Sequence, residues 1–488
     1  MGIIFTFLIG LFMAFEPITD NDWFWHYVVG NVIDKTHQIP THELFGWYKD
    51  YAWTAHEWLT EFCMYKLGPI GDIVIMLIIF LGLYFLMAKM LKVKFNKLFD
   101  FKLVYLLMMT VFFKVTGPRP YILSLVFMAY LVYVVFSYLD DNKKFNKLIY
   151  TIPLLQIVWV NFHGGSSSLP YILIVGILLC DLFVKFFKFK ESRWTDFKLT
   201  KDKIKTLFIV LGLTIVASCI NPFGYKMLLY PFTNMADTSM LENITEWASA
   251  NFHGFFGIYL FVIVAFPLFN LILNKNKMKL HEIGFQLVFL FMAMRSQRFI
   301  GMYAIYSMWT LGKYFFVTDE MYETLRKPFK KFEKVITVCF CMLLVTGCVL
   351  VAYKQVHSFA SFANTNVIDN DGFYSDEAVK QVIKLKPKRL YNDYSQGGYL
   401  LYKLNEYNAL DDVKIFAYGL GDVFSQEILP ESRSIENLTD NTRELIEKYN
   451  FDVMLTTKNK PLHYFLDEMK EYSLYYSDDM CYIYIKVM

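Results

Sequence analysis

Long runs of apolar residues constrain this chain more than any other feature of its sequence. Their lengths are near the roughly 20 residues that a helix needs to cross a bilayer. The chain of 488 residues is 56% hydrophobic and 19% aromatic, which exceeds what the core of a soluble protein requires. The pattern predicts an α-helical polytopic membrane protein with about 11 transmembrane helices. The apolar blocks lie near residues 1–15, 71–88, 101–117, 121–139, 148–162, 168–186, 206–221, 255–273, 283–295, 299–317 and 335–353.

The distribution of Lys and Arg predicts the orientation of these helices. Loops on the same side as the N-terminus would carry 25 of these residues, and loops on the opposite side would carry eight. Because cytoplasmic loops are rich in Lys and Arg, we predict a multi-pass protein of the cell membrane with a cytoplasmic N-terminus. Block 1–15 is short for a span, so we expect that the chain begins upstream or that this helix extends into the next loop. The formal net charge of +3 gives no reason to expect a nucleic acid partner.

Two stretches are too polar to cross a membrane, and the same orientation places both outside the cytoplasm. Residues 16–72 form the first loop, and residues 354–488 form a C-terminal tail. In the tail, Ser375 and Asp440 each precede an acidic or polar first turn that is typical of a helix start. The remaining pattern predicts short strands at 388–392, 413–418, 451–456 and 481–487. We therefore divide the chain into a transmembrane domain, 1–353, and an extracytoplasmic α/β domain, 354–488.

The first loop begins with two carboxylates. Asp20 and Asp22 form a DxD triplet at the expected outer end of the first helix. Such a pair can bind a divalent cation, Mg²⁺ or Mn²⁺, that neutralises a diphosphate, or one carboxylate can act as a general base. The alternative is a helix start with solvated charges and no chemical role. Asp22 and His26 are four residues apart, so they share a face if this stretch is helical.

Three arginines are isolated cations on the predicted outer side. Arg119, Arg295 and Arg298 are flanked by long apolar blocks, where a charged group is costly unless it lines a polar cavity or reaches the lipid headgroups. Arginine binds phosphate oxygens through a planar pair of N–H donors. These residues are therefore candidate phosphate ligands, with lipid headgroup contacts as the alternative.

Other polar residues of the outer segments are candidates for lining a substrate cavity, and each also fits a structural or solvated role. They occur where amide, imidazole or carboxylate groups stand among Trp and Gly residues. They are His26, His56, Glu57, Asn161, His163 and Glu246.

Taken together and in this order, the motifs resemble the GT-C superfamily of polytopic membrane glycosyltransferases, and more closely a bacterial branch of it. The resemblance covers nearly the whole chain. One segment departs from it, because residues 416–420 contain neither the Asp nor the Arg that we expect after a strand of the tail. The matching segments are 20–26 with Gly30, 39–41, 56–59, 119–120, 159–165, 221–224, 246–247, 295–298 and 393–400.

The resemblance implies transfer of a sugar from a polyprenyl-phosphate or polyprenyl-diphosphate donor to a glycan, lipid or protein acceptor on the outer membrane face. Oligosaccharyltransferases, protein O-mannosyltransferases and aminoarabinose transferases are such enzymes, and only some need a divalent cation. By the same resemblance, Asp22 is the catalytic carboxylate, with Asp20 as second choice. The three arginines would stabilise the leaving phosphate. The alternatives are a lipid-linked glycan flippase or transporter and a non-catalytic subunit of an envelope polysaccharide assembly complex.

Overall fold

The computed structural model describes residues 21–93, 101–115, 119–187, 198–236, 238–244, 246–332 and 374–487, with isolated positions between 335 and 353. Asp20 and block 1–15 lie outside the described residues, and block 335–353 is described only at isolated positions. The chain forms two compact units. The described residues within 73–233 and 246–357 belong to the first unit. Those within 17–72, 234–245 and 358–488 belong to the second.

The described chain is mainly helical, with a small sheet near its C-terminus. The α-helices are α1 (Asn21–Thr36), α2 (Trp58–Leu91), α3 (Phe101–Val115), α4 (Tyr121–Leu139), α5 (Phe145–Leu148), α6 (Ile152–Phe162), α7 (Leu169–Phe187), α8 (Lys201–Ser218), α9 (Lys226–Ala236), α10 (Thr238–Asn243), α11 (Gly254–Asn274), α12 (Leu280–Arg295), α13 (Ile300–Lys313), α14 (Asp319–Arg326), α15 (Asp376–Leu385), α16 (Gly397–Glu406), α17 (Gly421–Phe424), α18 (Ile428–Glu436), α19 (Thr442–Tyr449) and α20 (Leu462–Glu468). The strands are β1 (Leu390–Asn392), β2 (Val453–Thr457), β3 (Tyr472–Ser477) and β4 (Cys481–Lys486).

The apolar blocks predicted between residues 71 and 317 each coincide with a helix. In the part of the chain that the structure describes, four helices are long and apolar enough to cross a bilayer, which is typical of a membrane protein. The described residues do not confirm the predicted count of about 11 spans, and the predicted orientation stays a prediction. The four helices are Trp58–Leu91, Tyr121–Leu139, Gly164–Phe187 and Gly254–Asn274.

Helix α13 is at the centre of the first unit. Every residue from Ile300 to Gly312 is buried, because α3, α4, α11 and α12 all pack against this helix. A helix that is apolar on all sides is stable only when other elements surround it in this way. This helix begins two residues after Arg298. The packed core therefore fixes the position of the Arg298 backbone.

Helix α2 bends where its polar beginning meets its apolar remainder. Gly68 has φ 66° and ψ 177°, a conformation that glycine adopts without a steric cost. Pro69 follows, and it lacks the N–H that a continuous helix would use. The turn that carries Glu61 is therefore separated from the apolar part of the helix that lies beyond Asp72.

The second unit contains a four-stranded sheet of order β1-β2-β4-β3, in which β1 and β2 are parallel and the other neighbours are antiparallel. The predicted strands at 388–392, 451–456 and 481–487 are confirmed as β1, β2 and β4. The predicted helix start at Ser375 is also confirmed, since its Oγ accepts a hydrogen bond from the backbone N–H of Ala378 at 3.0 Å. Helix α19 begins at Thr442, as the second predicted start requires.

The predicted strand at 413–418 is wrong. The segment is mostly buried and makes one isolated bridge, between Ile415 and Gly46, while the Asn392 side chain bonds the backbone that follows. The Asn392 oxygen accepts hydrogen bonds from the N–H groups of Phe416 and Ala417, and its NH₂ donates to the Ala417 carbonyl. Strand β3 was not predicted; among the described residues it is an edge strand that pairs with β4, and most of its side chains are exposed or partly exposed.

Helix α1, from the first loop, folds with the C-terminal tail. The ring of Phe24 lies 5.3 Å from that of Tyr399 and 5.2 Å from that of Tyr402, both on α16. At Gly398 the backbone of α16 approaches the Asn21 carbonyl so closely that a Cβ would overlap it. The second compact unit therefore groups the described loop residues within 17–72 with the tail. The predicted domain boundary at 353/354 was based on membrane topology, and it stays a prediction.

Candidate functional site

Helix α1 positions the first predicted pair, Asp22 and His26. Asp22 lies in the first turn of the helix, where the helix dipole favours a negative charge. Its Oδ1 accepts a hydrogen bond from Trp25 Nε1 at 3.3 Å. Asp22 is also close enough to His26, one turn further on, to interact with it electrostatically. The helical conformation that places Asp22 and His26 on one face is therefore present.

His26 lies between two carboxylates at the beginning of α2. His26 Nε2 is 3.5 Å from Glu57 Oε2, and His26 Nδ1 is 3.0 Å from Glu61 Oε1. The His26 and Glu61 side chains are buried, while 13% of the Glu57 side chain is exposed. His56 lies in the turn directly before α2. Sequence analysis named His26 and Glu57 but missed Glu61, although its four-residue spacing from Glu57 was a usable signal.

The carboxylates change the acid–base behaviour of His26. Burial by itself lowers its pKa, but the charge of Glu57, the hydrogen bond and charge of Glu61, and the charge of Asp22 together outweigh burial. The net effect raises the pKa of His26 above its ordinary value of 6.5. In the absence of another cation, the imidazole is therefore more readily protonated than that of a free histidine.

The segment that departed from the family pattern approaches Asp22 with its backbone. A Cβ at Gly419 would overlap Asp22 Oδ1 and lie 2.7 Å from Trp25 Nε1. Only a residue without a side chain fits against the carboxylate at this point. Gly419 is thus a residue of the site that motif comparison missed, because the requirement is visible only when both segments are placed.

In the first unit, the structure brings together Arg119, Arg298 and Glu246. Arg119 Nη1 forms an ion pair with Glu246 Oε1, and Arg298 Nη1 lies 3.9 Å from Glu246 Oε2. The Arg298 guanidinium stacks on the rings of Tyr121 and Trp247, 5.0 Å from each centroid. About a quarter of each arginine side chain is exposed, at 28% and 27%. The two arginines are thus oriented by protein contacts and remain accessible.

The backbone around Arg298 is also fixed against the Glu246 segment. The Arg298 N–H donates to the Glu246 carbonyl at 3.2 Å, and the Gln297 N–H donates to the Ala248 carbonyl at 2.9 Å. Arg295, by contrast, is exposed at the end of α12. Its described contact is a hydrogen bond that its backbone carbonyl accepts from Ser249 Oγ. The described contacts do not bring Arg295 to Glu246.

Asn161 and His163 make contacts that hold helices together. Asn161 Nδ2 donates to the carbonyls of Ile157 and Ile220, both at 2.8 Å. His163 Nδ1 lies 2.7 Å from Ser124 Oγ, which also accepts a hydrogen bond from Trp159 Nε1 at 2.8 Å. These described contacts fit the structural interpretation of both residues. Their predicted place in a substrate cavity stays a prediction.

One group of metal-ligating side chains is present in the described part of the chain. His26, Glu57 and Glu61 offer ligand atoms that all lie within 4.8 Å of one another. The predicted metal pair, Asp20 and Asp22, remains a prediction, because Asp20 lies outside the described residues. Asp22 is not a member of the His26 group.

Comparison with known proteins identifies the fold. No protein-family model matches this sequence, and no curated protein matches it. Solved structures of an oligosaccharyltransferase do match, so the predicted resemblance is confirmed as a likeness of fold.

Two of the matching structures are from Archaeoglobus fulgidus. One is its oligosaccharyltransferase tethered by a disulfide bond to an acceptor peptide containing the NVT sequon, with a TM-score of 0.50, 10% identity, and coverage of 99% of this chain and 74% of that chain. The other is the archaeal oligosaccharyltransferase AglB in complex with an inhibitory peptide and a dolichol-phosphate, with a TM-score of 0.48, 11% identity, and coverage of 93% and 69%. At this identity, the comparison concerns the fold alone.

Proposed function

We propose that this protein is a membrane glycosyltransferase. It moves a sugar from a polyprenyl-phosphate or polyprenyl-diphosphate donor to a glycan, lipid or protein acceptor of the cell envelope, outside the cytoplasm. The observation that carries the proposal is the pair of guanidinium groups, Arg119 and Arg298, that share Glu246. The fold supports the same class of reaction.

The arginine pair suits a phosphate that gains charge as the sugar leaves. The two arginines and Glu246 carry a net charge of +1, and the Arg298 guanidinium is held over the rings of Tyr121 and Trp247. A planar, oriented guanidinium donates two parallel hydrogen bonds to phosphate oxygens. Preorganised donors of this kind stabilise the developing negative charge more than they stabilise the bound donor.

Asp22 is assigned the role of the base that orients or deprotonates the acceptor. Its carboxylate accepts one indole hydrogen bond at 3.3 Å, and the Gly419 backbone leaves no room for a side chain beside it. A carboxylate held in this way can accept the proton of a hydroxyl or amide nucleophile. Asp20 remains the second choice for this role.

The test uses cells that lack the protein, with lipid-linked sugars measured by mass spectrometry. The proposal predicts that the loaded lipid carrier accumulates. Wild-type protein should remove the accumulated donor, and Asp22→Asn should not. Asp34→Asn is the matched control, since Asp34 lies on the same helix but pairs with Lys66 at the surface.

The two rival functions predict different results. A flippase or transporter needs no general base, so Asp22→Asn would keep most of the flux of the lipid-linked sugar. A non-catalytic subunit would tolerate replacement of Asp22 and of Arg298 without loss of cell-surface glycan. Full complementation by Asp22→Asn at equal expression would therefore end the glycosyltransferase assignment for this carboxylate.

A further inference from the structure

We propose that His26, Glu57 and Glu61 form a binding site for a divalent first-row metal ion, Zn²⁺ or Mn²⁺. This site is distinct from the predicted Asp20–Asp22 pair. It lies wholly within the second unit, and it does not depend on the proposed transfer reaction.

The positions of the three side chains suit a single ion. Their ligand atoms lie within 4.8 Å of one another. Ligands about 2.0–2.2 Å from a tetrahedral ion are about 3.3–3.6 Å from one another, so the two atoms that are farthest apart need to approach by about 1 Å. Glu57, which is partly exposed at 13%, can make this adjustment by a small side-chain rotation.

A buried oxygen without a partner is the second, independent observation. Glu61 is fully buried at 0% exposure, and its Oε2 has no hydrogen-bond partner among the described residues. A buried carboxylate oxygen without a donor is costly, and native structures rarely contain one without a reason. A cation bound at this oxygen supplies the missing interaction.

The chemistry of the three groups selects the kind of ion. A neutral imidazole and two carboxylates carry a net charge of −2, which a divalent cation neutralises. Imidazole favours Zn²⁺ and other first-row metals, while carboxylates also bind Mn²⁺ and Mg²⁺. Each imidazole nitrogen already faces a carboxylate. An ion bound at one nitrogen takes the place of that nitrogen's contact, and the carboxylate that faces the other nitrogen turns toward the ion to become its ligand.

The backbone presents these ligands without the help of a mobile loop. His26 is in the interior of α1, Glu57 lies in the turn directly before α2, and Glu61 is in the first turn of that helix. The Trp25 ring lies against the His26 ring, with the centroids 3.6 Å apart and the planes tilted by 32°, which restricts the rotation of the imidazole. Three protein ligands with one partly exposed side are typical of a metal site that keeps a position open for water or substrate.

The test measures the metal content of the full-length protein in detergent. The protein is stripped with a chelator, dialysed against Zn²⁺ or Mn²⁺, and analysed by mass spectrometry of the elements. We expect about one ion per chain. We also expect that Co²⁺, bound in the same place, gives a visible absorption spectrum that changes when His26 is replaced.

The variants identify the ligands. Glu61→Gln should lower the affinity for the ion at least tenfold and abolish the rise in Tm that the ion produces in the wild-type protein. Asp72→Asn is the matched control, because Asp72 is another buried carboxylate of this unit, with Trp23 as its hydrogen-bond partner. It should keep wild-type metal binding. If Glu61→Gln does not fold, Glu57→Gln, at the more exposed ligand, replaces it.

Two results would overturn the proposal. One is a folded wild-type protein that retains less than about a tenth of an ion per chain with both metals. The other is wild-type affinity in the folded Glu61→Gln or Glu57→Gln variant, since the ion would then lie elsewhere. No sugar donor or acceptor enters these measurements, so a failure of the transfer reaction and a failure of the metal site are separate outcomes.

Discussion

Replacement of Arg298 by alanine tests the donor-binding role most directly. The guanidinium is 27% exposed, lies 3.9 Å from Glu246, and stacks on two aromatic rings at 5.0 Å. If it contacts the donor phosphate, the lost hydrogen bond to a charged group is worth about 1.5–3 kcal/mol. Since about 1.4 kcal/mol corresponds to a factor of ten, kcat/KM for the lipid-linked donor should fall roughly 10–150-fold.

The same substitution also has a cost in stability. At a partly exposed site, each aromatic contact contributes about 0.5–1 kcal/mol, and the ion pair with Glu246 contributes about 0–1 kcal/mol. The free energy of unfolding should therefore fall by about 1–3 kcal/mol. Arg298→Lys keeps the charge but loses the planar fork, so its activity should lie between those of the wild type and Arg298→Ala.

The assay varies the lipid-linked donor at a fixed acceptor concentration, with purified protein in detergent or nanodiscs. Arg326→Ala is the matched control, because Arg326 has the same exposed fraction, 27%, and pairs with Glu323 at 3.3 Å. The expected signature is a loss in kcat/KM for the donor while KM for the acceptor is unchanged. A folded Arg298→Ala enzyme whose donor kcat/KM is within threefold of wild type would refute the phosphate-binding role.

Two further predictions concern the second unit. Gly419→Ala should reduce transfer at least tenfold, because the new Cβ collides with Asp22. Gly82→Ala is the control, because a Cβ at Gly82 meets open space. Equal transfer rates for the two variants would contradict the close packing at Gly419. Burial first, and then the charge of Glu436, raises the pKa of Asp393 from 3.8 to about 7. The folded chain thus keeps a proton that the unfolded chain releases near pH 4, so this contribution to stability is complete below about pH 4 and is lost as the pH rises to about 7. Asp393→Asn should remove this pH-dependent fall in the free energy of unfolding, which is on the order of a few kcal/mol. Thermal unfolding from pH 4 to 8 measures it. Identical pH profiles for the wild type and the variant would disprove the role of Asp393.

The sequence by itself determined the elements whose cause is local. Apolar blocks of span length became helices because such residues have no stable place in water. Ser375 predicted a helix start because its hydroxyl satisfies a free N–H three residues later. The four-residue spacing of Asp22 and His26 placed them on one side of α1, since a helical turn has 3.6 residues. The strands β2 and β4 were likewise readable from short apolar segments.

Only the tertiary structure decided how distant segments meet. Glu246 joins Arg119 and Arg298, and no local pattern indicates which carboxylate a given arginine will reach. Segment 413–418 is bonded by the Asn392 side chain and by one backbone bridge at Ile415, because a buried backbone needs partners but does not require a full neighbouring strand to supply them. The requirement for Gly419 has the same origin, since a glycine is needed only where another segment approaches closely.

The grouping of the first loop with the C-terminal tail shows the physical reason most clearly. Phe24 and Tyr399 are far apart in sequence. Their contact depends on the burial of a whole aromatic surface, and no single residue of that surface specifies its partner. The sequence therefore determined which residues carry charge, which are apolar and which begin helices. The fold determined which of them lie together, because packing energy belongs to pairs of surfaces and becomes defined only when both are in place.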